Sequence, residues 1–236
     1  MIKAIILDLN DTLDENFGMK LNAMEEALAA HGVRDAKRLA KRLAVKVQHL
    51  DMRDPETANK LCERVFKLRW NDGHAPRGMF RLNGSRDRVM RRMLNLPHAE
   101  RSELYAEYLR NRFDAQDINK EFYAILPSLA KQYKLMLYTN APPWMLSRWF
   151  KKHGTRRFFK KVYTAKTLQS YKPDIEAFEK ILKENRLKPE ECVMVGDDVT
   201  NDMLPANLAG IRTILFSRCI DIHIRDFSEL RRMISG

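Results

Sequence analysis

The stretch that most constrains this chain is its first fourteen residues, MIKAIILDLNDTLD. Ile2, Ala4, Ile5, Ile6 and Leu7 form a short apolar run that breaks abruptly into Asp8, Asn10, Asp11 and Thr12. A run of that length, rich in β-branched residues and closed by turn formers, suits a strand buried on both faces. Such strands belong to parallel α/β sheets, where ligands collect beyond the carboxyl ends of the strands. Asp8 then stands at the mouth of a site, and the rest of the chain is expected to supply its partners.

After a loop or hairpin at Glu15–Met19, the chain reads as helical for about a hundred residues. Lys20 to about His31 carries the stripe Leu21, Met24, Ala27 and Leu28, and Gly32 is placed to end it. Ala36 to about Leu50 buries Leu39, Leu43, Val47 and Leu50, and turns Lys37, Arg38, Lys41, Arg42 and Lys46 outward. A third helix from Asp54-Pro55 to about Arg69 carries Leu61, Val65 and Leu68. A Gly- and Pro-containing loop at Asn71–Arg86 precedes helices at about Arg86–Leu94 and Glu100–Asn111.

From Asp117 strands and helices alternate. Strands are predicted at Leu135–Tyr138, Lys161–Thr164, Cys192–Val195 and Arg212–Phe216. Helices are predicted at Phe122–Gln132, Ala141–His153, Pro173–Asn185 and Asp202–Ala209. This pattern implies an α/β fold: a Rossmann-like, doubly wound parallel sheet over residues 1–14 and 114–236, interrupted by a helical insertion over residues 15–113.

The 236 residues are 44% hydrophobic and 31% charged, which supplies a core and leaves no apolar run near the ~18 residues of a membrane span. The acidic motif begins at Asp8, too early for a signal peptide, and Cys62, Cys192 and Cys219 show no metal spacing. A cytoplasmic protein with reduced thiols, monomeric or homodimeric, is the expectation. The net charge of +12 is uneven: residues 34–92 hold 17 basic and 7 acidic residues, or +10 of it. That excess suits an anionic partner or substrate, or forms a solvated face.

Three strands end in polar residues: Asp8, Thr139-Asn140 and Asp197-Asp198; Lys172 precedes a helix. On one sheet these groups converge at one edge. Carboxylate oxygens suit Mg²⁺, the usual companion of phosphate substrates, while Lys172, Thr139 and Asn140 could hold phosphoryl oxygens. Asp8 could attack phosphorus to form an aspartyl phosphate.

These motifs, in this order, resemble the haloacid dehalogenase (HAD) superfamily, in the subgroup with a helical cap inserted after the first motif. Its four motifs correspond to Asp8-Leu9-Asn10-Asp11-Thr12-Leu13, to Leu135–Asn140, to Lys172 within Tyr171-Lys172-Pro173-Asp174, and to Val195–Asp202, continued by Ala206–Gly210. The resemblance implies a Mg²⁺-dependent phosphatase-like hydrolase acting on a small phosphorylated anion. Asp8 would be nucleophile and metal ligand, with Asp197 as the second carboxylate on the metal and Asp202 as an outer ligand or partner of Lys172. Lys172 would neutralise Asp8 and the phosphoryl group. Thr139 would bind phosphate, with Asn140 beside it. The cap would close over Asp8, exclude water and choose the substrate.

The sequence departs from that pattern at one position. Family phosphatases carry Asp two residues after the nucleophile, where this chain has Asn10. The main-chain carbonyl that binds metal survives the change. The carboxamide has no titratable proton, and general acid–base catalysis is typically worth ~10²–10⁴ in rate. Three readings stay open: a slow hydrolase suited to good leaving groups such as acyl phosphates, a fold retained for binding, and an engineered Asp→Asn change. The alternative to an enzyme is an impaired HAD-fold protein that binds nucleic acid or another polyanion through its basic cap. Family dehalogenases also lack that Asp but need no metal, and Asp197, Asp198 and Asp202 favour phosphoryl chemistry here.

Overall fold

The computed structural model describes residues 1–14, 16–53, 60–61 and 82–216. The chain forms two compact units, Met1–Glu15 with Asp117–Gly236, and Asn16–Gln116. The expected third helix and the loop after it lie outside the described residues, apart from Lys60, Leu61 and the segment from Leu82 on; Cys62 and Cys219 also lie outside.

The first strand, β1, spans Ala4–Leu7 and is buried along its whole length, as an apolar run without polar alternation requires. The turn after it closes with the Leu13 and Asp14 amides both donating to the Leu9 carbonyl. Helix α1 (Asn16–Ala30) follows at once, so the loop expected through Met19 is replaced by helix. The turn formers are exhausted by Asp14, and nothing from Asn16 to Met19 except Gly18 opposes a helix.

In the helical unit, α1 packs on α2 (Ala36–Arg53) and on α4 (His98–Ala115), and α2 also contacts α3 (Gly84–Met93). Met24, Ala27, Leu28, Leu43 and Val47 are buried, while Lys37, Arg38, Lys41, Arg42 and Lys46 are exposed. Gly32 takes φ +67°, the left-handed conformation expected of a residue that ends a helix. Arg86 does not join the exposed Arg88, Arg91 and Arg92. It shares the inward face of α3 with Met90, four residues on, and both are buried. The buried Arg101 guanidinium is paired with Asp87, with Nε and Nη2 each 2.9 Å from Oδ1.

The other unit continues with α5 (Lys120–Gln132), β2 (Lys134–Thr139), α6 (Pro143–His153), β3 (Lys161–Thr164) and the short α7 (Ala165–Leu168). It then runs through α8 (Ile175–Asn185) and β4 (Cys192–Gly196) to a π-helical turn at Val199–Met203, α9 (Leu204–Leu208) and β5 (Arg212–Leu215). The strands form one parallel sheet in the order β3-β2-β1-β4-β5. Leu7 lies opposite Leu137 on one side and Val195 on the other, so the carboxyl ends of the three central strands are level. Strand order runs outward from β1 to β3 and resumes on the other flank with β4. That reversal is the switch point at which open α/β sheets bind ligands. Ile6, Met136, Tyr138 and Met194 pack there with Phe178 and Ile181 of α8, the Tyr138 and Phe178 rings meeting edge to face at 5.3 Å.

Ile6 carries no polar atom and is fully buried. Ile6→Ala is therefore expected to cost about 2–5 kcal/mol in urea unfolding. Lys41→Ala, on the exposed face of α2, is expected to stay within about 0.5 kcal/mol of the parent. Equal effects from the two changes would contradict the assigned core.

Candidate active site

The level strand ends bring the expected acids together. Asp8 follows β1 directly, and its amide still donates to the Val195 carbonyl of β4 at 2.9 Å, so its backbone is held by the sheet. Asp8 is 7% exposed, Lys172 3% and Asp202 1%. The Lys172 Nζ lies 2.6 Å from Asp8 Oδ1 and 2.6 Å from Asp202 Oδ1. It also stands 5.0 Å from the centre of the Tyr138 ring. One oxygen each of Asp8, Asp197 and Asp202 lies within 4.8 Å of the others.

Asp202 reaches this position because of the turn after β4. Asp198 caps that turn, its Oδ1 accepting from the Thr200 and Asn201 amides at 2.8 and 3.0 Å. The expected helix from Asp202 thus begins with a wider π turn and becomes α-helical only at Leu204. The Asp198 amide donates to Asp202 Oδ2 at 3.2 Å. Gly196 makes the close approach possible, since a Cβ there would stand 2.6 Å from Asp202 Cγ. Asp198 itself is used within the turn and does not join the acidic cluster.

The remaining expected residues take distinct places. Thr139 is fully buried at the end of β2, and its Oγ1 accepts from the Ala141 amide at 3.1 Å, which leaves the hydroxyl proton to donate elsewhere. The Asn140 carboxamide is engaged at both ends by the Lys172 main chain, at 2.9 and 3.1 Å. Asn10 is half-buried in the turn two residues beyond Asp8. Asp11, next to it, takes φ +60° and its amide donates to Asp14 Oδ1 at 2.8 Å. Three residues without an expected role also belong to the site: Thr12, whose hydroxyl donates to Asp197 Oδ1 at 3.1 Å, Gly196 beside Asp202, and Tyr138 beneath the Lys172 ammonium. A hydroxyl four residues after the first acid was the available signal for Thr12.

The electrostatics show a deficit of positive charge. Burial, then the Asp8, Asp11 and Asp202 carboxylates, push Asp197 well above the usual carboxylate range, against the Thr12 hydroxyl. Burial likewise pushes Asp202 up to about 7, Lys172 opposing it and Asp8 adding to it. Burial disfavours the Lys172 ammonium, but Asp202 and Asp8 outweigh it, so its pKa stands above that of free lysine. Burial also raises the pKa of the Tyr138 phenol, Lys172 acting the other way. Three clustered carboxylates stand beside one ammonium, which pairs with two of them. Hard oxygen donors that lack a counter-charge fit a divalent cation such as Mg²⁺.

The family model that matches is that of the haloacid dehalogenase-like hydrolases, over residues 2–210. Among curated proteins, the glyceraldehyde 3-phosphate phosphatase of Methanothermobacter thermautotrophicus is 33% identical over 102 residues. That match covers 42% of this chain and 44% of the phosphatase, less than half of either. Among solved structures, the HAD-hydrolase YfnB of Bacillus subtilis bound to magnesium superposes with a TM-score of 0.72 at 14% identity, over 100% of this chain and 99% of that one. The 2-haloacid dehalogenase of Pseudomonas syringae pv. Tomato DC3000 gives 0.53 at 23% identity, again over 100% and 99%. At these identities the two structures speak to the fold alone. No helix among the described residues is long and apolar enough to cross a membrane.

A carboxyl whose pKa rises on folding contributes stability below its unfolded value of about 4, and loses it as pH rises through the folded value. With chelator present, the melting temperature is thus expected to fall as pH rises from about 4 to about 7, the value for Asp202. Mg²⁺ is expected to raise it more at pH 8 than at pH 5, because cation and protons compete for the same oxygens. A pH-independent melting temperature over that window, or an equal Mg²⁺ effect at both pH values, would contradict the charge deficit.

Proposed function

Because the chain belongs to the haloacid dehalogenase-like hydrolases, we propose that it is a Mg²⁺-dependent phosphatase that works through an aspartyl phosphate on Asp8. The observation that carries this reading is the Lys172 ammonium held 2.6 Å from Asp8 Oδ1 and anchored behind by Asp202. An ammonium so placed neutralises Asp8 as a phosphoryl group approaches it. The same cation then stabilises charge on the transferring oxygens. Thr139, with its hydroxyl proton still to donate, would hold a phosphoryl oxygen.

In the first step an Asp8 oxygen bonds to phosphorus and the leaving-group oxygen departs. In the second, water attacks the phosphorus of the acyl phosphate and frees Asp8. Asp8, the main-chain carbonyl of Asn10 and Asp197, with Asp202 as an outer partner, would hold the metal. Bound there, Mg²⁺ would neutralise charge on the phosphoryl oxygens. Thr12 orients Asp197 for that task through its 3.1 Å hydrogen bond.

Asn10 divides the substrates. An alkoxide leaving group needs a proton that a carboxamide cannot give, whereas a carboxylate or phenolate leaves without one. Acyl and aryl phosphates are therefore favoured, and hydrolysis of the phosphoenzyme is slow for want of a base. The charge excess of residues 34–92 suits a small anionic substrate.

Turnover of 4-nitrophenyl phosphate is expected to require Mg²⁺ and to fall to background in Asp8→Ala. Asn10→Asp is expected to raise turnover of alkyl phosphates by about 10²–10⁴; with acyl phosphates it is expected to speed hydrolysis of the phosphoenzyme far more than its formation. Full activity in Asp8→Ala would refute the nucleophile. Chelator-resistant release of halide from 2-haloacids would place the chain with the dehalogenases instead.

A further inference from the structure

We propose that Asn140 is a positioning residue for Lys172 and not a ligand of the phosphoryl group; the proposal rests on the phosphatase reading only for what Lys172 does once placed. A lysine ammonium hangs on a flexible four-carbon stem. Here it must serve two carboxylates at 2.6 Å, so its own backbone has to be held firmly. Lys172 lies between α7 and α8, outside both helices and every strand. Pro173 follows it and has no N–H to pin the loop.

One side chain supplies what the loop lacks. Asn140 Nδ2 donates to the Lys172 carbonyl at 3.1 Å, and the Lys172 amide donates to Asn140 Oδ1 at 2.9 Å. A single planar carboxamide thus satisfies both main-chain polar groups of a residue 32 positions away. Two contacts to one residue fix rotation as well as position. Other bonds brace the ends of the loop: Ser170 Oγ donates to Asp174 Oδ2 at 2.7 Å, and the Asp174 amide donates to the Tyr171 carbonyl at 2.8 Å. Neither touches Lys172.

Asn140 is itself well anchored. It follows Thr139, the last residue of β2, which pairs with Thr164 of β3 and is fully buried. Position is therefore handed from the sheet to the Asn140 amide, from there to the Lys172 backbone, and so to the ammonium between Asp8 and Asp202. Neither end of the carboxamide can be given up. Asp at this position keeps an acceptor for the Lys172 amide but has no donor for its carbonyl, and Ala has neither.

The test reads Lys172 without requiring activity. The full-length parent, Asn140→Ala and Asn140→Asp are treated with an amine-acetylating reagent, and labelling of Lys172 is followed by peptide mass spectrometry. Cys192, fully buried in β4 of the same unit, is titrated in parallel with a thiol reagent to report general loosening. Losing both hydrogen bonds is expected to speed Lys172 labelling by about 10- to 100-fold in Asn140→Ala, with a smaller rise in Asn140→Asp. Cys192 should stay protected, and kcat with 4-nitrophenyl phosphate should fall in the same order. Unchanged Lys172 labelling in both variants would overturn the proposal. If activity falls all the same, Asn140 acts on the substrate directly. Cys192 exposed along with Lys172 in both variants would overturn it too, as a general structural effect. A parent inactive on phosphates would sink the phosphatase reading, while the labelling would still decide the placement of Lys172.

Discussion

The structure of this site depends on one buried cation. Lys172 stands between Asp8 and Asp202 with almost no exposure, at 2.6 Å from each. Burying such groups carries a desolvation penalty of several kcal/mol per ion, and well-packed apolar residues would often serve stability as well or better. The arrangement is better explained by chemistry than by folding. Around it, Gly196 clears the space that Asp202 occupies, the Asp198 cap shapes the turn that delivers Asp202, and the Asn140 amide holds the Lys172 backbone.

That cation does not balance the cluster. The Asp197 carboxylate accepts from the Thr12 hydroxyl, while burial and the neighbouring Asp8, Asp11 and Asp202 carboxylates raise its pKa. The chain thus fixes one positive charge at the site, beside three clustered carboxylates that could hold a metal ion. On the proposed reading, Asn10 separates two abilities that usually travel together. Holding metal and phosphate needs carboxylates, an ammonium and a main-chain carbonyl. Moving protons needs a titratable group where this chain has a carboxamide.

Much of this was legible in the sequence because it depends on local pattern. Runs such as Ile5–Leu7 and Cys192–Val195 are apolar at consecutive positions, so they read as strands buried on both faces, and the polar residues after them mark the functional edge. Details that depend on tertiary contact did not read through. Arg86 belongs to an arginine-rich run with Arg88, Arg91 and Arg92, and only packing buries it beside Met90 while those three stay exposed. The π turn that carries Asp202 cannot be told from a helix by periodicity. Thr12 meets Asp197 across 185 residues and Asn140 meets Lys172 across 32, distances over which only sheet register decides what touches.

The most direct measurement is to trap the covalent intermediate. The protein is mixed with acetyl phosphate and Mg²⁺, quenched in acid, and its mass and peptide map are recorded. The expected result is a phosphoryl adduct on the peptide that contains Asp8, absent from Asp8→Asn and longer-lived in the parent than in Asn10→Asp. An adduct that persists in Asp8→Asn, or turnover of acetyl phosphate with no adduct at any time, would contradict Asp8 as the nucleophile that Lys172 is placed to serve.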